Sequence, residues 1–224
     1  MRNILVYGDS LTWGIIPETR NRLPFENRWP GVMEAALTGE GWSVRVIEDC
    51  LNGRRTVWDD PLKPGRNGLH GLAQRIEIHS PLELVIIMLG TNDFQVMHQN
   101  NPWLSAQGIA ALVSAIRTAP IEPGMPVPAV LVVAPPPFDF PKGVLAPKFE
   151  GASLKSAGLA DAYRNTCEQL GCYFFDAGSV TSTSAVDGIH LDLDQHAKLG
   201  AALADAVAAF LSKTGGGSSI FPAQ

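Results

Sequence analysis

Short apolar runs without polar alternation recur along the chain. Runs of this kind, rich in β-branched residues, are typical of strands that are buried on both faces in a parallel sheet. The pattern predicts five such strands, the last of them shorter than the others, at residues 3–7, 43–48, 82–89, 129–134 and 173–175.

Helical periodicity fills the intervals between these runs, at residues 30–38, 69–79, 104–119, 153–170 and 193–211. A strand followed by a helix, repeated, indicates right-handed βαβ units whose parallel sheet is covered by helices on both faces. Two proline-rich stretches, residues 120–128 and 135–147, are predicted to be loops, and the second is long enough to shape a pocket. No repeat or linker divides the chain, so we expect one α/β domain over residues 1–214 and a flexible tail over residues 215–224.

Composition and charge narrow the class of protein. Hydrophobic residues make up 46% and charged residues 17% of the 224 positions, which is typical of a globular protein. A net charge of −5 without a basic cluster argues against nucleic acid as a partner. No apolar run is long enough for a membrane span, and residues 1–9 lack the pattern of a secretion signal. We therefore expect no membrane partner and, by default, a cytoplasmic location.

Polar residues follow most of the predicted strands, where ligands bind in open parallel sheets. Ser10 follows the first strand, Gly53 the second and Asn92 the third, while Asp187 and His190 come after the fifth. Because the carboxyl ends of parallel strands share one edge of the sheet, a single site could hold all five residues.

These five residues supply each role that acyl transfer requires. Ser10 is the candidate nucleophile, and His190 is the natural base because the ordinary pKa of histidine lies close to neutral pH. Asp187 precedes His190 by three residues, so a tight turn at Gly188 could bring its carboxylate to the other ring nitrogen. The backbone N–H groups of Ser10 and Gly53 and the side-chain amide of Asn92 could then bind the oxyanion.

Each residue also has a purely structural interpretation. Ser10 could cap a helix, and Gly53 and Asn92 could be turn residues. Asp187 and His190 could lead into the last helix, or they could join three nearby residues in a metal site, namely Asp192, Asp194 and His196. A helix N-terminus explains the two further aspartates without a metal, so we expect no metal and no cofactor. The three cysteines, Cys50, Cys167 and Cys172, lack paired zinc-type spacing and are expected to be free thiols.

Three sequence blocks resemble the diagnostic blocks of the SGNH hydrolases, also called GDSL-type lipases and esterases. They are residues 8–14 (GDSLTWG), 89–93 (LGTND) and 186–190 (VDGIH), and Gly53 falls where the family has its second-block glycine. Further similarity, at residues 85–90 (VIIMLG) and 175–179 (FDAGS), is closest to the bacterial arylesterase and acyltransferase subgroup.

The resemblance implies a flavodoxin-like three-layer αβα sandwich with a five-stranded parallel sheet, and a metal-free mechanism with Ser10, Asp187 and His190 as the catalytic triad. It implies Ser10, Gly53 and Asn92 as the oxyanion hole. Members of the subgroup hydrolyse short-chain and aryl esters, and some transfer the acyl group to alcohols or peroxide. The resemblance also suggests a homo-oligomer in which residues 135–149 restrict the mouth of the pocket.

Three residues are expected to line the substrate pocket, from their positions beside the catalytic groups or in the long loop: Trp13, Phe149 and Ile189. Two alternatives to an arylesterase stay open from the sequence. One keeps the fold and makes the protein a carbohydrate O-acetyl esterase. The other is a non-catalytic module that binds a small molecule, although residues 8–14 are not a dinucleotide fingerprint.

Overall fold

The computed structural model describes residues 1–214, and its centre is a five-stranded sheet in which every neighbouring pair is parallel. The strands are β1 (Arg2–Gly8), β2 (Val44–Cys50), β3 (Leu84–Met88), β4 (Ala129–Ala134) and β5 (Tyr173–Asp176), in the order β2-β1-β3-β4-β5. The predicted α/β class and all five predicted strands are confirmed.

Seven α-helices flank the sheet within residues 1–214: α1 (Ser10–Trp13), α2 (Trp29–Gly39), α3 (Leu72–His79), α4 (Pro102–Arg117), α5 (Ala152–Lys155), α6 (Leu159–Leu170) and α7 (Leu193–Thr214). Side chains of α3, α4 and α6 pack in one hydrophobic core, and side chains of α2 and α7 pack in another. The two cores lie on opposite faces of the sheet, which makes the predicted three-layer sandwich.

Strand β1 shows how the sheet separates the two cores. Leu5 and Tyr7 belong to the first core, whereas Ile4 and Val6 belong to the second, and all four are at most 1% exposed. Successive side chains of a strand point to opposite faces, so a strand covered on both sides must be apolar throughout. This requirement explains why the sequence shows continuous apolar runs rather than alternation.

Two of the differences between the observed and the predicted helix boundaries lie at glycines. The predicted helix 153–170 is divided, because α5 ends at Lys155 and α6 begins only after Gly158, which has a φ of 85°. The predicted helix 69–79 begins at Leu72, after Gly71 with a φ of 75°. Both glycines adopt the left-handed conformation, which other residues rarely adopt and which interrupts a helix. The predicted tail, residues 215–224, lies outside the described residues.

The strand order places a crevice where the chemistry was predicted. The chain runs from β1 outward to β2 and then crosses to β3 on the other side of β1. Ligands of open α/β sheets bind at such a reversal, outside the carboxyl ends of the strands. Ser10 follows β1 and Asn92 follows β3, so both lie at this position. Among the helices of residues 1–214, none is long and apolar enough to cross a bilayer.

Candidate active site

Ser10 is the first residue of α1, directly after the turn that ends β1. The cap of this helix is Asp9, whose Oδ1 accepts a hydrogen bond of 2.9 Å from the N–H of Leu11. The hydroxyl of Ser10 is therefore not used for capping and points to His190, with 3.1 Å between Ser10 Oγ and His190 Nε2. Helix capping thus does not account for Ser10.

Asp187 and His190 form a closed turn after β5. Asp187 Oδ1 accepts hydrogen bonds of 2.9 Å from the N–H groups of Ile189 and His190, and Asp187 Oδ2 lies 2.6 Å from His190 Nδ1. Gly188 has a φ of 75°, and a Cβ at this position would collide with the backbone carbonyl of Phe140. Glycine is therefore required both by the backbone conformation and by the close approach of the long loop.

The electrostatics of this turn favour a charged aspartate and one histidine tautomer. Burial alone raises the pKa of Asp187, but the hydrogen bond and charge of His190 and two backbone N–H groups outweigh it and lower the pKa. An ionised Asp187 beside Nδ1 holds the proton on that nitrogen. His190 Nε2 is then free to accept the proton of Ser10.

Gly53 and Asn92 line the same cleft as Ser10 and His190. Gly53 has a φ of 87°, and the carbonyl oxygen of the preceding Asn52 accepts hydrogen bonds from Lys63 Nζ at 3.3 Å and Arg66 Nε at 3.1 Å. A trans peptide directs its C=O and N–H to opposite sides. Two cations on the Asn52 carbonyl therefore fix and polarise the N–H of Gly53.

A buried relay fixes the side-chain amide of Asn92. Arg55 Nη2 donates to Gln95 Oε1 at 2.7 Å, and Gln95 Nε2 donates to Asn92 Oδ1 at 2.9 Å. Since a guanidinium can only donate, it determines which end of each amide faces the next. Asn92 Nδ2 must therefore point away from Gln95, and it donates to Asp9 Oδ2 at 3.0 Å and to the carbonyl of Arg54 at 3.2 Å.

Two buried carboxylates support this edge of the sheet. Burial raises the pKa of Asp9 to about 6, although Leu11, His190, Asn92 and Arg54 all oppose the shift. Burial also raises the pKa of Asp93, which accepts hydrogen bonds from the hydroxyl groups of Thr56 and Ser105 at 2.7 and 2.6 Å. These contacts anchor the turn that contains Asn92.

The residues that line the cleft were predicted only in part from the sequence. Phe149 and Ile189 line it, as expected, whereas Trp13 is not among the lining residues and instead lies against the guanidinium of Arg22, 4.7 Å from the ring centre. Six lining residues were not predicted: Ile15, Arg20, Asn52, Lys63, Leu145 and Lys148. Leu145 and Lys148 belong to residues 135–149, the segment expected to restrict the pocket mouth, whereas the other four come from the loops after β1 and β2 and carry no local sequence signal.

The metal interpretation of residues 187–196 receives no support. Asp192 Oδ1 accepts from Ser184 Oγ at 2.8 Å, and Asp194 is paired with Lys198 at 2.9 Å on the surface of α7. His196 is fully buried, and its Nδ1 accepts from the N–H of Trp29. Within residues 1–214, no group of three or more potential ligands is arranged to hold a metal ion. The three cysteines are free thiols in this structure.

Known proteins are similar to this chain in both sequence and fold. Residues 6–200 match the model of the GDSL-like lipase/acylhydrolase family. The solved structure of Est24, a carbohydrate acetylesterase from Sinorhizobium meliloti, is 41% identical with a TM-score of 0.88, and the match covers 94% of this chain and 100% of that one. The inhibitor-bound aryl esterase of M. smegmatis is 39% identical with a TM-score of 0.88, covering 93% and 99%.

A curated arylesterase from Vibrio mimicus is 37% identical over 90 residues, which are 40% of this chain and 37% of that protein. The chain thus matches little more than a third of that relative, whereas it covers the two structural relatives almost end to end. The family match itself extends over most of the chain, including all three diagnostic blocks. The three blocks lie in an SGNH-type sandwich. The chain therefore belongs to the GDSL-like lipase/acylhydrolase family and so to the carboxylic ester hydrolases.

Proposed function

We propose that the protein is a serine esterase that cleaves short-chain acyl or aryl esters through an acyl-serine intermediate. The observation that carries the proposal is the continuous hydrogen-bonded chain from Ser10 Oγ to His190 Nε2, at 3.1 Å, and from His190 Nδ1 to Asp187, at 2.6 Å. A nucleophile, a base and a group that orients the base are the parts that activate a serine hydroxyl.

The reaction has two steps. His190 takes the proton of Ser10 as Oγ attacks the ester carbonyl, and the imidazolium then protonates the departing alcohol. Water, deprotonated by His190, next attacks the carbonyl of the acyl-serine, and the imidazolium returns the proton to Ser10 Oγ as the carboxylic acid leaves. Asp187 remains ionised throughout and stabilises the imidazolium.

The oxyanion is bound by the N–H groups of Ser10 and Gly53 and by Asn92 Nδ2. Both protons of this amide have protein acceptors in the free site, so one must be shared with the oxyanion. The contact with the carbonyl of Arg54, at 3.2 Å, is the longer of the two and is the one that yields. The bond to Asp9 then keeps the amide in place while the charge develops. Each donor of this kind contributes about 100- to 1000-fold in rate.

Hydrolysis of p-nitrophenyl acetate by the purified protein tests the proposal. Ser10→Ala is expected to reduce turnover by at least about 1000-fold with little change in the thermal midpoint, because the hydroxyl makes a single side-chain hydrogen bond, to His190, in the cleft. Wild-type turnover in that variant would refute the assignment. Labelling of Ser10 by a fluorophosphonate would exclude the alternative of a non-catalytic binding module.

A carbohydrate O-acetyl esterase is the second candidate, since Est24, at 41% identity over 94% of this chain, bears that name. Both candidates use the same triad and differ only in the alcohol that leaves. Release of acetate from acetylated xylan, compared with release from phenyl acetate at equal concentrations of ester, distinguishes them.

We further propose that residues 1–214 form one catalytic domain that acts in the cytoplasm as a homo-oligomer. Three large apolar side chains are strongly exposed beside the cleft loops, namely Phe140 at 78%, Val144 at 89% and Leu154 at 84%. Contact with a second subunit would cover them and narrow the pocket mouth, and exclusion of water there would favour acyl transfer to alcohols or peroxide. Light scattering gives the subunit number, and Phe140→Asp should lower it and the ratio of transfer to hydrolysis.

A further inference from the structure

Three cationic side chains line the cleft that contains Ser10 and His190. Arg20 comes from the loop after α1, Lys63 from the loop between β2 and α3, and Lys148 from the loop after β4. The chain as a whole has a net charge of −5, so this cluster opposes the overall sign of the protein. We call these three side chains the cationic rim.

The charges of the rim are not neutralised by neighbouring carboxylates. None of the ion pairs within 4.0 Å in residues 1–214 includes any of the three side chains. The nearby acid, Asp60, is engaged elsewhere: its Oδ1 accepts from the N–H groups of Leu62 and Lys63, and its Oδ2 lies 3.3 Å from Arg55. Lys63 Nζ has only the carbonyl of Asn52 as a partner, at 3.3 Å.

The rim side chains also act on one another. Burial lowers the pKa of Lys63 most, and the charges of Arg66 and Arg20 lower it further against the effect of Asp60. Burial likewise lowers the pKa of Lys148, Asp60 opposes the shift, and Lys63, Arg55 and Arg20 add to it. Like charges that face one shared space repel, and an anion placed between them relieves that repulsion.

The position of the rim relative to the reacting atoms limits what can bind there. The cleft holds only about 50 Å³ around Ser10, Gly53 and His190, enough for a short acyl group. Lys63 Nζ is 4.0 Å from the position of a Cβ built on Gly53, so the rim begins next to the proposed oxyanion hole. Because all three cations line the cleft that contains Ser10, a substituent that extends along the cleft from the ester carbonyl faces them.

We propose that the cationic rim is a carboxylate subsite and that the preferred substrates are esters bearing a negatively charged group near the scissile bond. This inference rests on the proposed esterase function, because it concerns the substrate of that same site. The charge can be on the acyl side, as in a half-ester of a dicarboxylic acid, or on the alcohol side, as in an ester of a hydroxybenzoate. The chemistry is the same in both cases: cations that lack a carboxylate partner in the protein bind the carboxylate of the substrate in a partly desolvated cleft.

Two matched pairs of esters distinguish a charge on the acyl side from a charge on the alcohol side. Mono-p-nitrophenyl glutarate is compared with p-nitrophenyl valerate for the acyl side, and p-acetoxybenzoate with p-acetoxybenzamide for the alcohol side. Lys148→Gln and Arg20→Gln each remove one charge of the rim. Lys198→Gln is the control, because it changes the net charge equally at a side chain that is 60% exposed on α7 and outside the cleft.

In at least one pair, each rim variant should lower kcat/KM for the anionic ester about fivefold to tenfold, mainly through KM, as expected when one charge a few ångströms away is lost. Hydrolysis of the neutral partner should stay within about twofold, and the control should change neither. In the wild type, raising the salt concentration to about 0.5 M, where screening acts over about 4 Å, should weaken the preference for the anionic ester.

The carboxylate subsite would be overturned if a rim variant affected the anionic and neutral esters equally. It would also be overturned if no rim variant affected either anionic ester while the neutral ester is still cleaved. Both results would leave the esterase function intact. If the wild type cleaves no ester at all, the proposed function itself is wrong. Thermal unfolding of each variant beside the wild type verifies that a loss does not come from misfolding.

Discussion

Replacement of Gln95 by glutamate tests whether the relay from Arg55 orients the amide of Asn92. The two side chains have almost the same shape, and a carboxylate can still accept the 2.7 Å hydrogen bond from Arg55 Nη2. Beside the guanidinium it stays ionised, so the pairing with Arg55 is retained or strengthened. The variant loses the 2.9 Å hydrogen bond that Gln95 Nε2 donates to Asn92 Oδ1.

Asn92 has no satisfactory orientation in this variant. In its present orientation Oδ1 faces a carboxylate oxygen at hydrogen-bonding distance, which is repulsive. If the amide rotates by half a turn, Oδ1 replaces Nδ2 at 3.0 Å from Asp9 Oδ2, which is also repulsive unless Asp9 is protonated. Repulsion destabilises the first orientation and the second removes Nδ2 from the cleft, so the amide no longer holds a donor firmly in place there. An oxyanion donor contributes about 2.7–4 kcal/mol, so we expect Gln95→Glu to lower kcat about 100-fold with little change in KM.

The assay is steady-state hydrolysis of p-nitrophenyl acetate by four proteins: the wild type, Gln95→Glu, Asn92→Ala and the double variant. If Gln95 acts only through Asn92, the double variant loses no more activity than Asn92→Ala alone, since coupled residues are not additive. A Gln95→Glu variant with kcat within about threefold of the wild type would contradict the relay. So would losses that multiply in the double variant, because Gln95 would then act by another route.

Three further predictions concern the turn of the triad and the buried histidine. Asp187→Asn should lower kcat by roughly 10⁴-fold at unchanged KM, because an amide cannot stabilise the imidazolium. A loss of kcat below about tenfold in steady-state kinetics would contradict this prediction. Gly188→Ala should cost about 1–3 kcal/mol in urea unfolding, because a φ of 75° and the carbonyl of Phe140 leave no room for a Cβ; unchanged stability would show that the loop moves freely. Burial, with the charge of Arg28 next, lowers the pKa of His196 to about 4, below the unfolded value near 6.5, so its contribution to stability is complete above about pH 6.5 and is lost as the pH falls toward 4. Replacing this histidine by Asn, which can still accept from Trp29, should reduce the change in the free energy of unfolding between pH 7 and pH 4 by roughly 3 kcal/mol. Urea unfolding at several pH values measures this free energy, and a variant whose free energy of unfolding changes with pH as much as that of the wild type would refute the prediction.

The sequence by itself determined the sheet and the five residues that converge at its edge. Strands covered on both faces must be apolar throughout, so the runs at β1 and β3 are recognisable without any knowledge of their partners. The turn of Asp187 and His190 is equally local, because three residues and one glycine suffice to bring the carboxylate to the ring. The helix bounds were less well determined, since α5 ends at Lys155 and α6 begins only after Gly158, inside a single periodic pattern.

Only the tertiary structure decided how these residues are supported and what surrounds them. The relay from Arg55 through Gln95 to Asn92 joins side chains 40 and 3 residues apart, and neither spacing marks it in the sequence. Asp9 looked like part of a motif, yet it is the helix cap that leaves Ser10 free. The cationic rim combines three separate loops, and the expected pocket residue Trp13 packs on Arg22 instead. Periodicity and turn chemistry are properties of neighbouring residues, whereas loop contacts depend on how distant segments meet across the sheet, and no local pattern encodes that.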